Sequence, residues 1–239
     1  MKLFLYTLFI LLIGCSGSQQ KEIKSLDNKL FLLKDSTVAL VAYDDDLGDF
    51  RSYCTGVWIN EDEFLTAYHC VEVDGVEEEN LNKQVEFITY SQVKNNMEVG
   101  KVNYRAKVVA TDAESDLALL RYGRKEKLEH SITTLYNGKI YEGSFVEAIG
   151  HTVGALYTYC AGYVSSEREY KGPLPAKVKL IQVALGIGPG NSGGGVYLDK
   201  RLIGIVSFGN RRIFSLAFII HRDVVKEFLE LNNIDFKQE

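Results

Sequence analysis

"GIGPGNSGGGVY", residues 186–197, places Ser192 in a run of glycines and admits three readings. Gly188, Gly190 and Gly193 have the G-x-G-x-x-G spacing of a dinucleotide-binding turn. Gly190, Ser192 and Gly194 have the G-x-S-x-G spacing of the elbow that presents a nucleophilic serine in α/β-hydrolases. The same residues also suit a reactive-serine loop on another scaffold. The stretch alone does not choose between a phosphate cradle and an activated hydroxyl, so the rest of the chain must.

The 239 residues suffice for one large domain or two small ones. A net charge of −5 and the lack of any basic stripe argue against nucleic acid as a partner. Short runs of Val, Ile and Tyr, broken by Gly, Asn and Asp, favour strands over helices.

The start of the chain is a targeting segment. "MKLFLYTLFILLIGC" has a cation at Lys2, an apolar run from Leu3 to Ile13, and small Gly14 before Cys15. The run falls short of the about 20 apolar residues that span a bilayer, and it suits a secretory signal. Leu12-Ile13-Gly14-Cys15 also resembles the bacterial lipobox, whose cysteine becomes the lipidated first residue of the mature protein. Residues 1–14 are therefore expected to be a lipoprotein signal peptide. Residues 15–35 are expected to form a lipidated N-terminus and tether that holds the protein at a membrane facing the periplasm or exterior.

Export makes disulfides expected. Cys54 and Cys70 bracket "CTGVWINEDEFLTAYHC", in which 57–59 and 64–66 read as strands joined by a turn over 60–63. Such a hairpin brings its ends together, so a Cys54–Cys70 bridge is geometrically reasonable. Closing a loop of about 15 residues stabilises by about 3 kcal/mol in the chain-entropy picture. Cys160 is then left as a buried free thiol. A zinc site is the weaker reading, because no C-x₂-C pair is present and His69 adjoins Cys70, so no metal and no cofactor is expected. Of the four histidines, His130, His151 and His221 carry no second catalytic signal and read as surface or core residues. His69 follows a strand and lies beside the expected bridge, and rigid placement is what a general base requires.

A serine hydroxyl needs a base to take its proton, and the base needs an acid to hold its tautomer. The carboxylate candidate lies in "VVATDAESDLALLRY", where 108–110 and 117–122 read as strands. Asp116 directly precedes the apolar run from Leu117 and should sit at the core's edge. Asp112 reads as a turn residue.

"TAYHC", "SDLALL" and "GNSGGG" thus stand in the order His, Asp, Ser, and "IGIVSFG" follows at 203–209. Together they resemble the trypsin-like, chymotrypsin-fold serine peptidases. Among these the bacterial Deg/HtrA branch is closer, through "AIGHTVG", "IQVALGIGPGNSGG" and "LAFIIHRDVVKEFL". The resemblance implies an all-β fold of two perpendicular six-stranded antiparallel barrels with a C-terminal helix. The domain would span 36–239, with a first barrel over 36–128, a second over 129–222 and the helix over 223–232. It also implies Ser192 as nucleophile, His69 as base, Asp116 as orienting acid, and the N–H groups of Gly190 and Ser192 as an oxyanion hole. A Cys54–Cys70 pair beside the histidine is likewise found in animal trypsins. The implied partner is a protein or peptide substrate.

The opening question resolves on this frame. A dinucleotide turn opens a helix and is followed by an acid, whereas Gly195 to Leu198 continue as a strand. An α/β-hydrolase carries its histidine after the serine, and His221 comes too soon. Asn191 stands where digestive enzymes carry aspartate, so activation through a new N-terminal amine is not expected. The specificity pocket should be walled by Leu185, Gly186 and Ile187 on one side and Ser207, Phe208 and Gly209 on the other. Gly186 stands where a trypsin carries aspartate, which points to a small or medium aliphatic residue at the cleavage site. Arg211 and Arg212 read as a solvated loop. The chain's end at Glu239 is expected to leave no room for a PDZ domain. The rival reading is a catalytically silent lipoprotein that keeps the fold for binding.

Overall fold

The computed structural model describes residues 24–46, 48–72, 83–95, 103–123, 127–170, 178–210 and 213–239. The expectations for the signal segment, Cys15, Arg211 and Arg212 concern positions outside these. The chain divides into a short N-terminal unit, of which 24–32 are described and helical, and a unit running from Leu33 to Glu239. Among the described residues no helix is long and apolar enough to cross a membrane.

The first half of the large unit folds as β1 (Thr37–Asp44), β2 (Asp49–Trp58), β3 (Glu63–Ala67), β4 (Gln84–Thr89), β5 (Tyr104–Asp112) and β6 (Leu117–Arg121). They close in the order β1-β2-β3-β6-β5-β4, every pair antiparallel. Alternation along β1 shows why closure works. Val38 and Leu40 join Trp58, Phe64 and Phe87 in the barrel interior, while Ala39 and Val41 pack outside it against Ile88. A strand buried on both faces reads as a continuous apolar run, which "VALV" is. The turn between β2 and β3 is set by Asn60, whose Oδ1 accepts from the N–H groups of Asp62 and Glu63. It holds Val57 opposite Leu65 and Trp58 opposite Phe64. His130 stacks on Trp58 at 4.0 Å between ring centres.

The second half contributes β7 (Thr134–Leu135), β8 (Phe145–Gly150), β9 (Thr158–Tyr170), β10 (Val178–Ala184), β11 (Gly195–Leu198), β12 (Arg201–Asn210), β13 (Ile213–His221) and β14 (Lys237–Gln238). The order β11-β8-β9-β10-β13-β12 closes through β11–β12 into a second six-stranded antiparallel barrel. The two-residue β7 and β14 add parallel pairings beside β12. Val146, Val164, Ile181, Val183, Val196, Ile203 and Ile219 fill this barrel. The C-terminal helix, Arg222–Leu231, buries Val225, Phe228 and Leu229. His221 caps it, its Nδ1 accepting from the Asp223 N–H at 3.0 Å. An all-β fold with two closed barrels and a final helix is as expected.

Candidate active site

Three loops meet at the candidate site. His69 lies in the single 3-10 turn Tyr68–Cys70 that follows β3. Asp116 ends the turn from β5 to β6, and Ser192 precedes β11. Asp116 adopts a left-handed conformation (φ 56°), which aspartate tolerates better than most residues. Its carbonyl accepts from Tyr68 N–H at 3.0 Å, locking one loop to the other. Asp112, by contrast, serves its turn, accepting from Ser115 N–H.

The Asp116 side chain is only 7% exposed, so its carboxylate needs donors. The backbone N–H of His69 reaches Oδ1 at 3.1 Å, and His69 Nδ1 lies 2.9 Å from Oδ1 and 3.1 Å from Oδ2. Ser207 Oγ donates a short bond to Oδ2. A carboxylate accepts only, so Nδ1 carries the proton and Nε2 keeps its lone pair. Burial disfavours a charged imidazole. The hydrogen bond to Asp116, that carboxylate's charge and the charge of Glu72 outweigh it, raising the His69 pKa above its ordinary 6.5.

Cys54 and Cys70 are joined by a disulfide with Cα atoms 6.1 Å apart. The Cys54, His69 and Cys70 ligand atoms lie within 4.8 Å of one another, but bonded sulfurs offer no thiolate. Cys70 Sγ lies 3.8 Å from the Ser192 carbonyl, which also accepts from Thr55 N–H at 2.8 Å. The serine is thus set beside the residue that follows His69. Its hydroxyl is turned to the Ser207 carbonyl, 3.4 Å away.

The glycines around Ser192 are required by close approach. Gly193 has φ 81°, and a Cβ there would stand 2.1 Å from Thr66 Oγ1 and 2.2 Å from the Thr55 carbonyl. Gly190 has φ 96°, and a Cβ would stand 2.2 Å from the His151 carbonyl. The carbonyls from Gly188 to Ser192 are tied back. Pro189 O accepts from Val153 N–H at 2.8 Å, and Asn191 O accepts from Gly194 N–H at 2.9 Å. In a trans peptide the N–H points opposite to the C=O, so Gly190 and Ser192 direct their N–H groups away from these partners. Asn191 is buried, and its amide donates to Thr152 Oγ1 at 2.7 Å and to Gly188 O at 3.0 Å. It is satisfied as a neutral group.

The expected pocket walls divide. Leu185 and Ile187 belong to the second barrel's core, and the hydroxyl of Ser207 is taken by Asp116. Gly186 and Gly209 are exposed, and Phe208 is half-buried and stacked on Phe218 at 4.9 Å. The Cys160 thiol, half-buried rather than buried, donates to Gly186 O at 3.0 Å, and burial pushes its pKa up.

Ser207, expected in the pocket wall, is instead the partner of the carboxylate, and Thr55 and His151 behind the serine loop carry no site reading in the sequence. The available signal for Ser207 was a lone hydroxyl within an apolar strand, since a buried polar group needs a partner.

Residues 54–205 match the trypsin-like peptidase domain. A probable periplasmic serine endoprotease, DegP-like, of Marinomonas sp. (strain MWYL1) is 40% identical over 106 residues, which is 44% of this chain and 22% of that protein. Mitochondrial serine protease HTRA2 of Bos taurus is 35% identical over 130 residues, 53% of this chain and 28% of that one. The matched stretch therefore spans well under half the length of these relatives. Among solved structures, the HtrA-type protease AlgW with decapeptide superposes with a TM-score of 0.67 at 21% identity, covering 85% of this chain and 66% of that one. A protease of M. tuberculosis in its active form gives a TM-score of 0.64 at 18% identity, covering 86% and 84%. At such identities these two likenesses speak for the fold.

Proposed function

The chain belongs to the trypsin-like peptidase domain family, and from that premise we infer that it is a serine endopeptidase cleaving through an acyl-enzyme. The observation that carries this is His69 Nδ1 lying 2.9 Å from a buried carboxylate, which can only accept, so the neutral ring carries its proton there and offers the Nε2 lone pair as a base. In this reading Ser192 Oγ rotates away from the Ser207 carbonyl and passes its proton to His69 Nε2 as it attacks the substrate carbonyl. Asp116 stabilises the imidazolium that forms. The N–H groups of Gly190 and Ser192 receive the oxyanion, and losing one such donor costs about 10²- to 10³-fold in rate. His69 then returns the proton to the leaving amine, and water repeats the sequence on the acyl-enzyme.

Activation by insertion of a new N-terminal amine has no counterpart here, because Asn191 is neutral and already paired. Gly186, Phe208 and Gly209 are the members of the expected pocket left with surface to offer, which favours an uncharged residue at the cleavage site. Export is supported by the apolar N-terminal run and by the periplasmic naming of DegP-like relatives. Lipidation of Cys15 rests on the lipobox-like Leu12–Cys15. Lipid chains there would hold the enzyme at a membrane surface, each buried CH₂ adding about 0.8 kcal/mol.

A fluorophosphonate probe read by intact mass tests the assignment. One adduct on the wild type and none on Ser192→Ala is expected. A folded wild type that takes no adduct would sink the peptidase reading in favour of a binding module. Metabolic labelling with a fatty-acid analogue, lost in Cys15→Ala, tests the anchor.

A further inference from the structure

Behind the serine loop, a buried side-chain relay reaches it from a strand of the first barrel and from the loop that follows β8 in the second. Thr55, fully buried on β2, grips both residues assigned to the oxyanion hole. Its N–H donates to Ser192 O at 2.8 Å, and its hydroxyl donates to Gly190 O at 2.7 Å. Its own carbonyl accepts from Thr66 Oγ1 at 2.7 Å, on the strand that leads to His69. His151, fully buried after β8, places Nδ1 2.9 Å from the same Thr55 hydroxyl.

Proton counting fixes the direction of this chain. A threonine hydroxyl has one proton, and the Gly190 carbonyl can only accept, so that proton lies on the Thr55–Gly190 bond. The bond to His151 must then be donated by Nδ1–H, which leaves Nε2 as a buried lone pair without a partner. Burial lowers the His151 pKa to about 3, so the ring stays neutral wherever His69 can act as a base. The turn that carries His151 bears a strained residue as well. Val153 has φ 51°, a left-handed conformation costly for a β-branched side chain, while its N–H holds Pro189 O.

Resting on the peptidase reading, we propose that His151, acting through Thr55, is a positioning residue that sets the Gly190–Asn191 peptide, and with it the flanking oxyanion N–H groups. The peptide it holds lies between the two peptides that carry those N–H groups. If the Gly190 carbonyl is released, that peptide rotates, and Gly190 N–H moves off its line to the developing oxyanion. Substrate contacts elsewhere are untouched, so the loss falls on kcat.

The full chain purified in detergent, assayed with a chromogenic peptide, tests this. Thr55→Val removes the hydroxyl at constant shape, and His151→Phe removes the donor. Both are expected to lower kcat by about 10- to 100-fold with KM unchanged, as for a misaligned hole donor. Thr55→Ser and His151→Asn, which keep a hydroxyl and an N–H donor, are expected to restore most of it. The acid limb of the pH profile, owed to His69, stays in place in all four. A wild-type kcat in Thr55→Val would overturn the proposal, as would equal losses in Thr55→Val and Thr55→Ser. An independent readout uses Ser192→Ala, which has no turnover. Its imidazole nitrogen chemical shifts should show His151 protonated at Nδ1, and the Gly190 amide signal should move when Thr55→Val is added. The opposite tautomer, or an unmoved amide, sinks the relay. A wild type that hydrolyses nothing and takes no fluorophosphonate removes the peptidase reading instead, and these two signals then decide the relay alone.

Discussion

Asp116→Asn perturbs one atom and should move two readouts in directions the structure dictates. Oδ1 receives the backbone N–H of His69 and the shorter Nδ1 contact, while Oδ2 receives the Ser207 hydroxyl and lies 3.1 Å from Nδ1. An amide has one acceptor oxygen. Facing His69, it leaves its NH₂ toward Ser207, whose hydroxyl can accept, so the fold survives with about 1–3 kcal/mol lost from charge-assisted bonds. What disappears is the charge that stabilises the imidazolium, and the new NH₂, 3.1 Å from Nδ1, also disfavours the Nδ1-protonated tautomer. In the archetypal triad that change lowers kcat by about 10⁴-fold, and a loss of about 10³- to 10⁴-fold is expected here. The pH profile of kcat/KM gives the second readout. Burial is the largest influence on His69 and favours the neutral ring, and only Asp116 and Glu72 hold its pKa above 6.5. With the carboxylate gone, burial prevails and the acid limb should fall below 6.5. The sign for stability agrees. A raised histidine pKa contributes stability below the unfolded value and loses it as pH rises through the folded value, so the variant's deficit should be larger at acid than at alkaline pH. Residual activity with an acid limb still above 6.5, or a kcat within tenfold of wild type, would refute the assigned coupling.

Other outcomes follow from the same geometry. Gly193→Ala forces a left-handed alanine whose Cβ meets the Thr55 carbonyl, and it should cost about 2–5 kcal/mol by urea midpoint along with activity. Removing the disulfide as the Cys54→Ala, Cys70→Ala pair should cost about 3 kcal/mol in denaturant and slow fluorophosphonate labelling, since His69 adjoins Cys70. Burial lowers the pKa of His221 to about 4. A histidine kept neutral in the fold sheds stability as pH falls from 6.5 toward that value. His221→Asn, which keeps a capping acceptor without titrating, should therefore show a shallower fall in Tm on acidification.

Much of this site can be read along the chain because its parts are local. The hairpin from 54 to 70 carries its own turn residue, Asn60, and its alternating apolar residues, so strands, register and the cysteine pairing follow from short-range rules. The run from Leu117 announces a core strand and hence an aspartate at its edge, and the glycines about Ser192 announce close backbone approach. Their order along the chain separated three readings of one loop. The pocket was harder. Leu185 and Ile187 stand in an apolar run whose inward and outward faces the sequence does not distinguish, and only closure of the second barrel turned both into its core. Ser207, Thr55 and His151 are hydrogen-bonded to partners 91, 135 and 96 positions away. No local pattern marks such pairs. A buried hydroxyl or imidazole must find a donor or acceptor, but which one it finds is settled when two barrels, each closed by its own strand order, bring distant loops together.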